Sequence, residues 1–259
     1  LVEEEGRLSR VDMVYRFFEL FDLPNIPKVE LLTYFAKKNA VRVTPPLKAY
    51  LEEKLWLAFF RHPLLQAFWE RELGGPAMQT MHELIPRSWI LDPRPLPPHA
   101  VIPDLQVDGR PVNDWGTLAG LAQKKREFAL KPSGFSALAW GSRGVAIGHD
   151  LPEEEWAARL REGLERFPSG PYVLQEFHKS ARVRVQYFDF AGDQVRPMRG
   201  RPLLRPYYYV IGTELRLVGI QAIVCPPDKK ILHGMSDAIL VPCAVAPEEG
   251  SIDEHQHAG

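Results

Sequence analysis

Apolar positions along the chain recur first at helical and later at strand spacing. "VDMVYRFFELF" is dense enough in apolar residues for a strand followed by a turn or for a short helix, and periodicity does not choose between them. In "PKVELLTYFAKKN", Val29, Leu31, Leu32, Tyr34 and Phe35 fall on one helical face, with Asn39 near the end. "AVRVT" reads as a short strand. Pro45 and Pro46 then open a helix over "LKAYLEEKLWLAFF", where Leu51, Leu55, Ala58 and Phe59 share a face and most aromatics are expected in the core.

The texture changes at "IPRSWILDPRPLPPHAVIPD", whose prolines exclude regular helix and suggest an extended linker between domains. "WGTLAGLAQKKRE" restores a helical pattern. "FALKPSG" reads as a strand ending in a turn and "GVAIGHD" as the strand returning from it. "LPEEEWAARLREGLERF" predicts a helix with acidic residues at its start and basic ones toward its end, as the helix dipole favours. "YVLQEF" is a buried strand, and "ARVRVQYFDF", "RPYYYVIG", "LRLVGIQAIVC" and "AILVPCAV" follow as further strands. The expected class is α+β. Its expected segments are 1–90 (helical and αβ), 91–125 (proline-rich connection and helix), 126–180 (a lobe with a loop and hinge), 181–245 (strand-rich core) and 246–259, a frayed tail.

Composition narrows the class. A chain of 259 residues that is 45% hydrophobic can bury one large core or two modest ones. Its 32 basic and 33 acidic residues leave a formal charge of -1, so no global field draws nucleic acid or an acidic membrane. No apolar run is long enough to span a bilayer, and "LVEEEGRLSR" is unlike a signal peptide, so a cytoplasmic location is expected. Cys225 and Cys243 lack metal-ligand spacing and are read as core residues of a protein in a reducing compartment. The first residue is Leu, from which a processed or truncated piece is expected.

Candidate chemistry centres on Lys131. A lysine at a strand end before a Gly/Ser turn has an ordinary reading, a solvated cation beside a flexible loop. The loop exceeds a tight turn, however. Gly134, Gly141 and Gly144 would let backbone N–H groups approach a bulky anion, and Ser133, Ser136 and Ser142 add donors. Lys131 would then act as a point charge between phosphate oxygens. Neither GxxxxGK[ST] nor GxGxxG is present. About forty residues on, Gln175, Glu176 and Phe177 end an apolar strand where an adenine edge and faces would find backbone groups and apolar neighbours.

The order of these features resembles the ATP-grasp superfamily, and within it the circularly permuted branch related to glutathionylspermidine synthase, over roughly residues 11–241. "FALKPSGFSALAWGSRGV" is similar to the branch's lysine strand and phosphate loop, "PYVLQEF" to its hinge and "LLRPYYYV" to a strand whose arginine, here Arg205, contacts phosphate. "VDMVYRFFELFD" and "VTPPLKAYLEEKLWLAFFRHPLL" resemble upstream segments, the latter carrying a first nucleotide lysine. That lysine is Lys48 or Lys54, with Lys48 preferred. The resemblance implies antiparallel and mixed sheet lobes enclosing a nucleotide cleft, with Lys131, Gly134, Ser136, Ser142, Arg143, Gly144, Gln175, Glu176 and Phe177 around ATP. It also implies Mg²⁺, for which Glu19 is the best ligand match, with Asp12 and Asp22 nearby, Asp237 a spare and others expected upstream of Leu1.

The implied function is an ATP-dependent carboxylate-amine ligase acting through an acylphosphate on small-molecule or peptide carboxylates and amines, without nucleic acid or membrane partners. The alternative is a catalytically inactive nucleotide-binding or assembly partner. Other constellations have plainer readings. His233, Ser236 and Asp237 lack a nucleophile elbow and read as a satisfied turn or a cleft lining. Arg182 and Arg184 read as a solvated strand face. Arg196, Arg199, Arg201 and Arg205, with Tyr207, Tyr208 and Tyr209, suggest phosphate and carboxylate binding over single-stranded nucleic acid. The terminal "HQH" reads as part of the tail.

Overall fold

Residues 2–234 and 237–244 are described by a computed structural model. Ser236 and the 246–259 tail with its "HQH" lie outside them. The fold is mixed α+β with several antiparallel sheets, in two compact units, residues 1–178 and 179–259.

The first unit begins with the hairpin of β1 (Val2–Glu4) and β2 (Arg7–Ser9). Strand β3 (Met13–Tyr15) pairs in parallel with β4 (Arg42–Thr44), and helix α1 (Val29–Lys37) lies between them in sequence. Val29 is buried, but Leu31, Tyr34 and Phe35 of the expected apolar face are exposed. The helix expected over "LKAYLEEKLWLAFF" is broken into a 3₁₀ turn, Ala49–Glu52, and α2 (Leu55–Arg61). Glu53 is extended at the break, and its carboxylate accepts the Leu55 N–H and holds a loop far along the chain. Of the aromatics expected in this core, Phe60 is buried while Tyr50 and Trp56 are exposed.

Helices α3 (Gln66–Leu73) and α4 (Gly75–Leu84) lead to β5 (Ser88–Ile90). The proline-rich stretch runs on within the first unit to the two-residue strands β6 (Gln106–Val107) and β7 (Arg110–Pro111). "WGTLAGLAQKKRE" forms only α5 (Gly116–Ala119) and a 3₁₀ turn. Then come β8 (Phe128–Pro132), β9 (Ala146–Ile147), α6 (Glu153–Glu165) and β10 (Tyr172–Glu176). The first turn of α6 is acidic as expected, but its last turn holds no basic residue, and Arg166 stands just beyond at the cap.

Strands β5, β10, β8 and β9, in that order, form one antiparallel sheet with two different faces. Trp89, Phe128, Leu130, Ala146, Tyr172 and Leu174 point into the main core with Trp156 and Leu160 of α6. Each such buried side chain contributes roughly 1.5–3 kcal/mol relative to exposure. Alternation puts Ser88, Ala129, Lys131, Val173 and Gln175 on the opposite face, toward which α2 packs. That face is the one with chemistry.

In the second unit β11 (Val183–Asp189), β12 (Gln194–Ile211), β13 (Glu214–Cys225) and β14 (Ile239–Val241) make an antiparallel sheet in sequence order. Ala222, Ile223, Val224 and Cys225 are its buried stretch. Cys243 is exposed, contrary to its core reading, because it follows the short edge strand β14. Beyond Leu204, β12 and β13 pair only with each other among the described residues, and Tyr207, Tyr208, Tyr209, Val210, Ile211, Leu215 and Leu217 are all exposed on this ribbon. The ribbon turns at Gly212, which supplies the positive φ that such a turn requires.

Candidate functional site

Lys131 sits near the end of β8, one residue before Pro132 and a buried Ser133. Its ammonium donates to Oε1 of Gln175 at 2.5 Å, and Nε2 of the same amide donates to Oγ of Ser88 at 2.8 Å. The Ser88 hydroxyl donates onward to the Pro86 carbonyl. This chain fixes the amide, so the carbonyl end faces the lysine. Gln175 is neutral and therefore leaves the Lys131 charge uncompensated. Burial pushes the Lys131 pKa below the usual lysine value, and the nearby Lys54 charge lowers it further.

Lys54 stands at the helix break, immediately before α2. Burial lowers its pKa as well, opposed in part by the carboxylates of Glu53 and Glu19. Its position is fixed through its neighbours. Glu52 pairs with the buried Arg16 at 2.5 Å and accepts the Leu20 N–H at 3.0 Å. Glu53 accepts the Ser133 hydroxyl at 2.5 Å and the Gly134 N–H at 3.2 Å. Segments eighty residues apart in sequence are thus tied together, and the charge of Lys54 reaches partly desolvated Lys131. A multiply charged anion complements such a pair, since it gains from both cations in a medium of reduced dielectric.

The expected phosphate loop departs from its reading. Gly134 and Gly144 serve close packing: a β-carbon at 134 would overlap the Glu52 carbonyl oxygen, and one at 144 would stand 2.7 Å from Cγ of Pro132. The N–H of Gly134 is held by Glu53 and that of Gly144 by the Leu138 carbonyl. The Ser136 hydroxyl accepts the Leu138 N–H, and residues 137–142 form a 3₁₀ turn that includes Ser142, with exposed Arg143 just after it. Lys48, the preferred first lysine, is exposed on the preceding turn, and Lys54 is the one that shares a field with Lys131.

Comparison with protein-family models, curated proteins and solved structures found no match. The site therefore rests on its own geometry.

At the strand end, Glu176 faces Arg87 at 3.9 Å and His178 at 3.6 Å, while the Phe177 ring lies 5.0 Å from that of His149. Arg205 belongs to the second unit, exposed on the ribbon, and donates to Gln221 at 3.1 Å. The arginines around it do not act as one cluster: Arg196 pairs with Asp189, and buried Arg201 donates to the Pro227 and Ser180 carbonyls. Arg184 is exposed on β11, as a solvated strand face requires.

Asp237 pairs with Lys229 at 3.1 Å, and Glu19 is exposed in the first unit. Among the described residues no three His, Cys, Asp or Glu side chains converge on a metal-sized space. The residues that the sequence reading missed are Arg16, Glu52, Glu53 and Ser88. Glu53 had one available signal, its place next to Lys54.

Proposed function

We propose that the Lys54–Lys131 pair binds the phosphates of ATP and that the protein is an ATP-grasp-type carboxylate-amine ligase. The observation supporting this reading is that both lysines are partly desolvated, that Glu53 ties the Lys54 segment to the loop after Lys131, and that Lys131 is bonded only to a neutral amide among its described hydrogen bonds. The resemblance in motif order supplies the reaction class. A substrate carboxylate oxygen attacks the γ-phosphorus, ADP leaves, and an acylphosphate forms. An amine then attacks the acyl carbon, phosphate leaves with the C–O bond pair, and the amine loses a proton. The chain's part is positioning and charge neutralisation, with Lys131 and Lys54 on phosphate oxygens.

The resemblance implies magnesium too, but Glu52 and Glu53, the carboxylates beside the pair, are engaged by Arg16 and by Ser133 and Gly134. They do not form a metal-ligand set. The same engagement favours a second reading, a protein that binds nucleotide without turning it over. Calorimetry with ATP, followed by a phosphate-release screen over carboxylates and amines, separates the two. Binding with release supports the ligase, binding without release supports the second reading, and absence of binding by the folded protein rejects both.

A further inference from the structure

A cavity of the first unit lies away from Lys131. It measures about 1210 Å³ and runs along β5, with Phe59 and Arg61 on the α2 side and Trp115 on the other. Small-molecule pockets are typically about 300–1,000 Å³. The cavity is large for a single small ligand and follows a strand.

Strand β5 is the edge of its sheet, with β10 its only strand neighbour among the described residues. Two flanking bonds fix which way its backbone groups point. Leu91 N–H donates to Tyr172 and Glu176 N–H donates to the Arg87 carbonyl, so residues 87, 89 and 91 face β10. The N–H and C=O groups of Ser88 and Ile90 therefore point to the open edge, along which Ser88, Trp89 and Ile90 line the cavity. Unpaired groups along a strand edge of this kind offer a template for a further strand. The far wall is held rigid, with Trp89 Nε1 donating to the Pro103 carbonyl at 2.7 Å and Trp115 Nε1 to the Asp92 carbonyl at 2.9 Å.

Charge within the cavity is uneven. Arg94 is neutralised by Asp92, and Asp114 accepts the Gly116 N–H. Arg61 is locked against the carbonyls of His82 and Ile85. Arg87, beside the start of the edge, has long contacts among the described residues, 3.9 Å to Glu176 and 3.4 Å to the Asp104 carbonyl. Its charge lowers the Arg61 pKa, after burial, the larger cause.

We propose that this cavity docks an extended peptide, which adds as a strand to the Ser88–Ile90 edge of β5 and sets a carboxylate on Arg87. Main-chain bonds supply affinity in this mode, and the aromatic walls select side chains. The site uses neither lysine of the phosphate pair, and the proposal does not depend on ATP binding.

A position-scanning library of blocked hexapeptides tests the proposal on the full chain. The best binder is expected to carry an acidic residue at one end. N-methylation of its inward-facing amides should weaken it by about tenfold, as loss of one or two net hydrogen bonds implies. Ile90→Pro removes an outward N–H without touching the β10 bonds, and should weaken binding similarly. Arg87→Met should reduce preference for the acidic end by about tenfold. Retention of no library member by the folded protein overturns the proposal. So does binding unaffected by N-methylation, an arm that uses the parent protein and needs no variant to fold.

Discussion

The two four-stranded sheets differ in what covers them. In the first unit, α6 packs on one face and α2 on the other, and the strands that carry Lys131 and Gln175 are five residues each. In the second unit, no helix occurs among the described residues, and the β12–β13 ribbon bears its tyrosines and aliphatic residues in the open. A cation on the first sheet is desolvated and its pKa falls, whereas Arg205 on the ribbon is exposed, with a side-chain amide as its partner. Reactivity here follows from cover more than from residue type. An ammonium group partly stripped of water in the field of another cation has its charged form disfavoured.

Several substitutions break or sharpen that contrast. The largest stability effect should come from Trp156→Ala, which empties a fully buried site and removes the indole donor to the Leu118 carbonyl. Denaturant unfolding of the first unit should register a loss of about 3–5 kcal/mol. Tyr208→Ala on the bare ribbon should stay within about 0.5 kcal/mol of the parent in the same assay. A comparable loss at both positions would erase the distinction.

Lys131→Met should reduce ATP affinity by about ten- to a hundredfold in calorimetry, the range for a lost charge-assisted bond, with melting temperature unchanged or higher. Gly134→Ala pushes a methyl group against the Glu52 carbonyl and should cost about 1–3 kcal/mol in denaturant unfolding while disturbing Glu53 and, with it, ATP binding.

The smallest effect is on pH dependence. A lysine whose folded pKa lies below its unfolded one binds fewer protons when folded, in the window between the two values. Stability should therefore rise as pH increases from the lowered values of Lys54 and Lys131 toward the ordinary lysine value, and be lowest beneath that window. Lys131→Met should flatten this alkaline rise in unfolding curves, while an unchanged slope would show that its pKa is ordinary.

Much of the scaffold was legible in the sequence. The β8 and β9 hairpin and β10 emerged because short apolar runs are bounded there by Pro, Gly and a change to polar residues, and so did the strands of the second unit, except that β12 begins at Gln194 in what was read as a connection. The break before α2 was not legible: Leu51, Leu55 and Phe59 keep helical spacing through it, and the bonds from Glu53 to the 133–134 loop that accompany it are tertiary. For the same reason the preference for Lys48 over Lys54 had no access to the field at Lys131. Glycines were read as openings toward a ligand, yet at 134 and 144 the neighbouring atoms lie where a side chain would stand. Ser88 carried no local signal, since its role appears only once β5 lies beside β10.

The most direct measurement is the pKa of the Lys131 ammonium by lysine-labelled NMR, assigned through Lys131→Met, with and without ATP. A value below that of an ordinary lysine is expected in the free protein, rising when ATP binds, because phosphate favours the charged form. An ordinary value that ATP leaves unmoved would contradict a desolvated pair acting as the phosphate site.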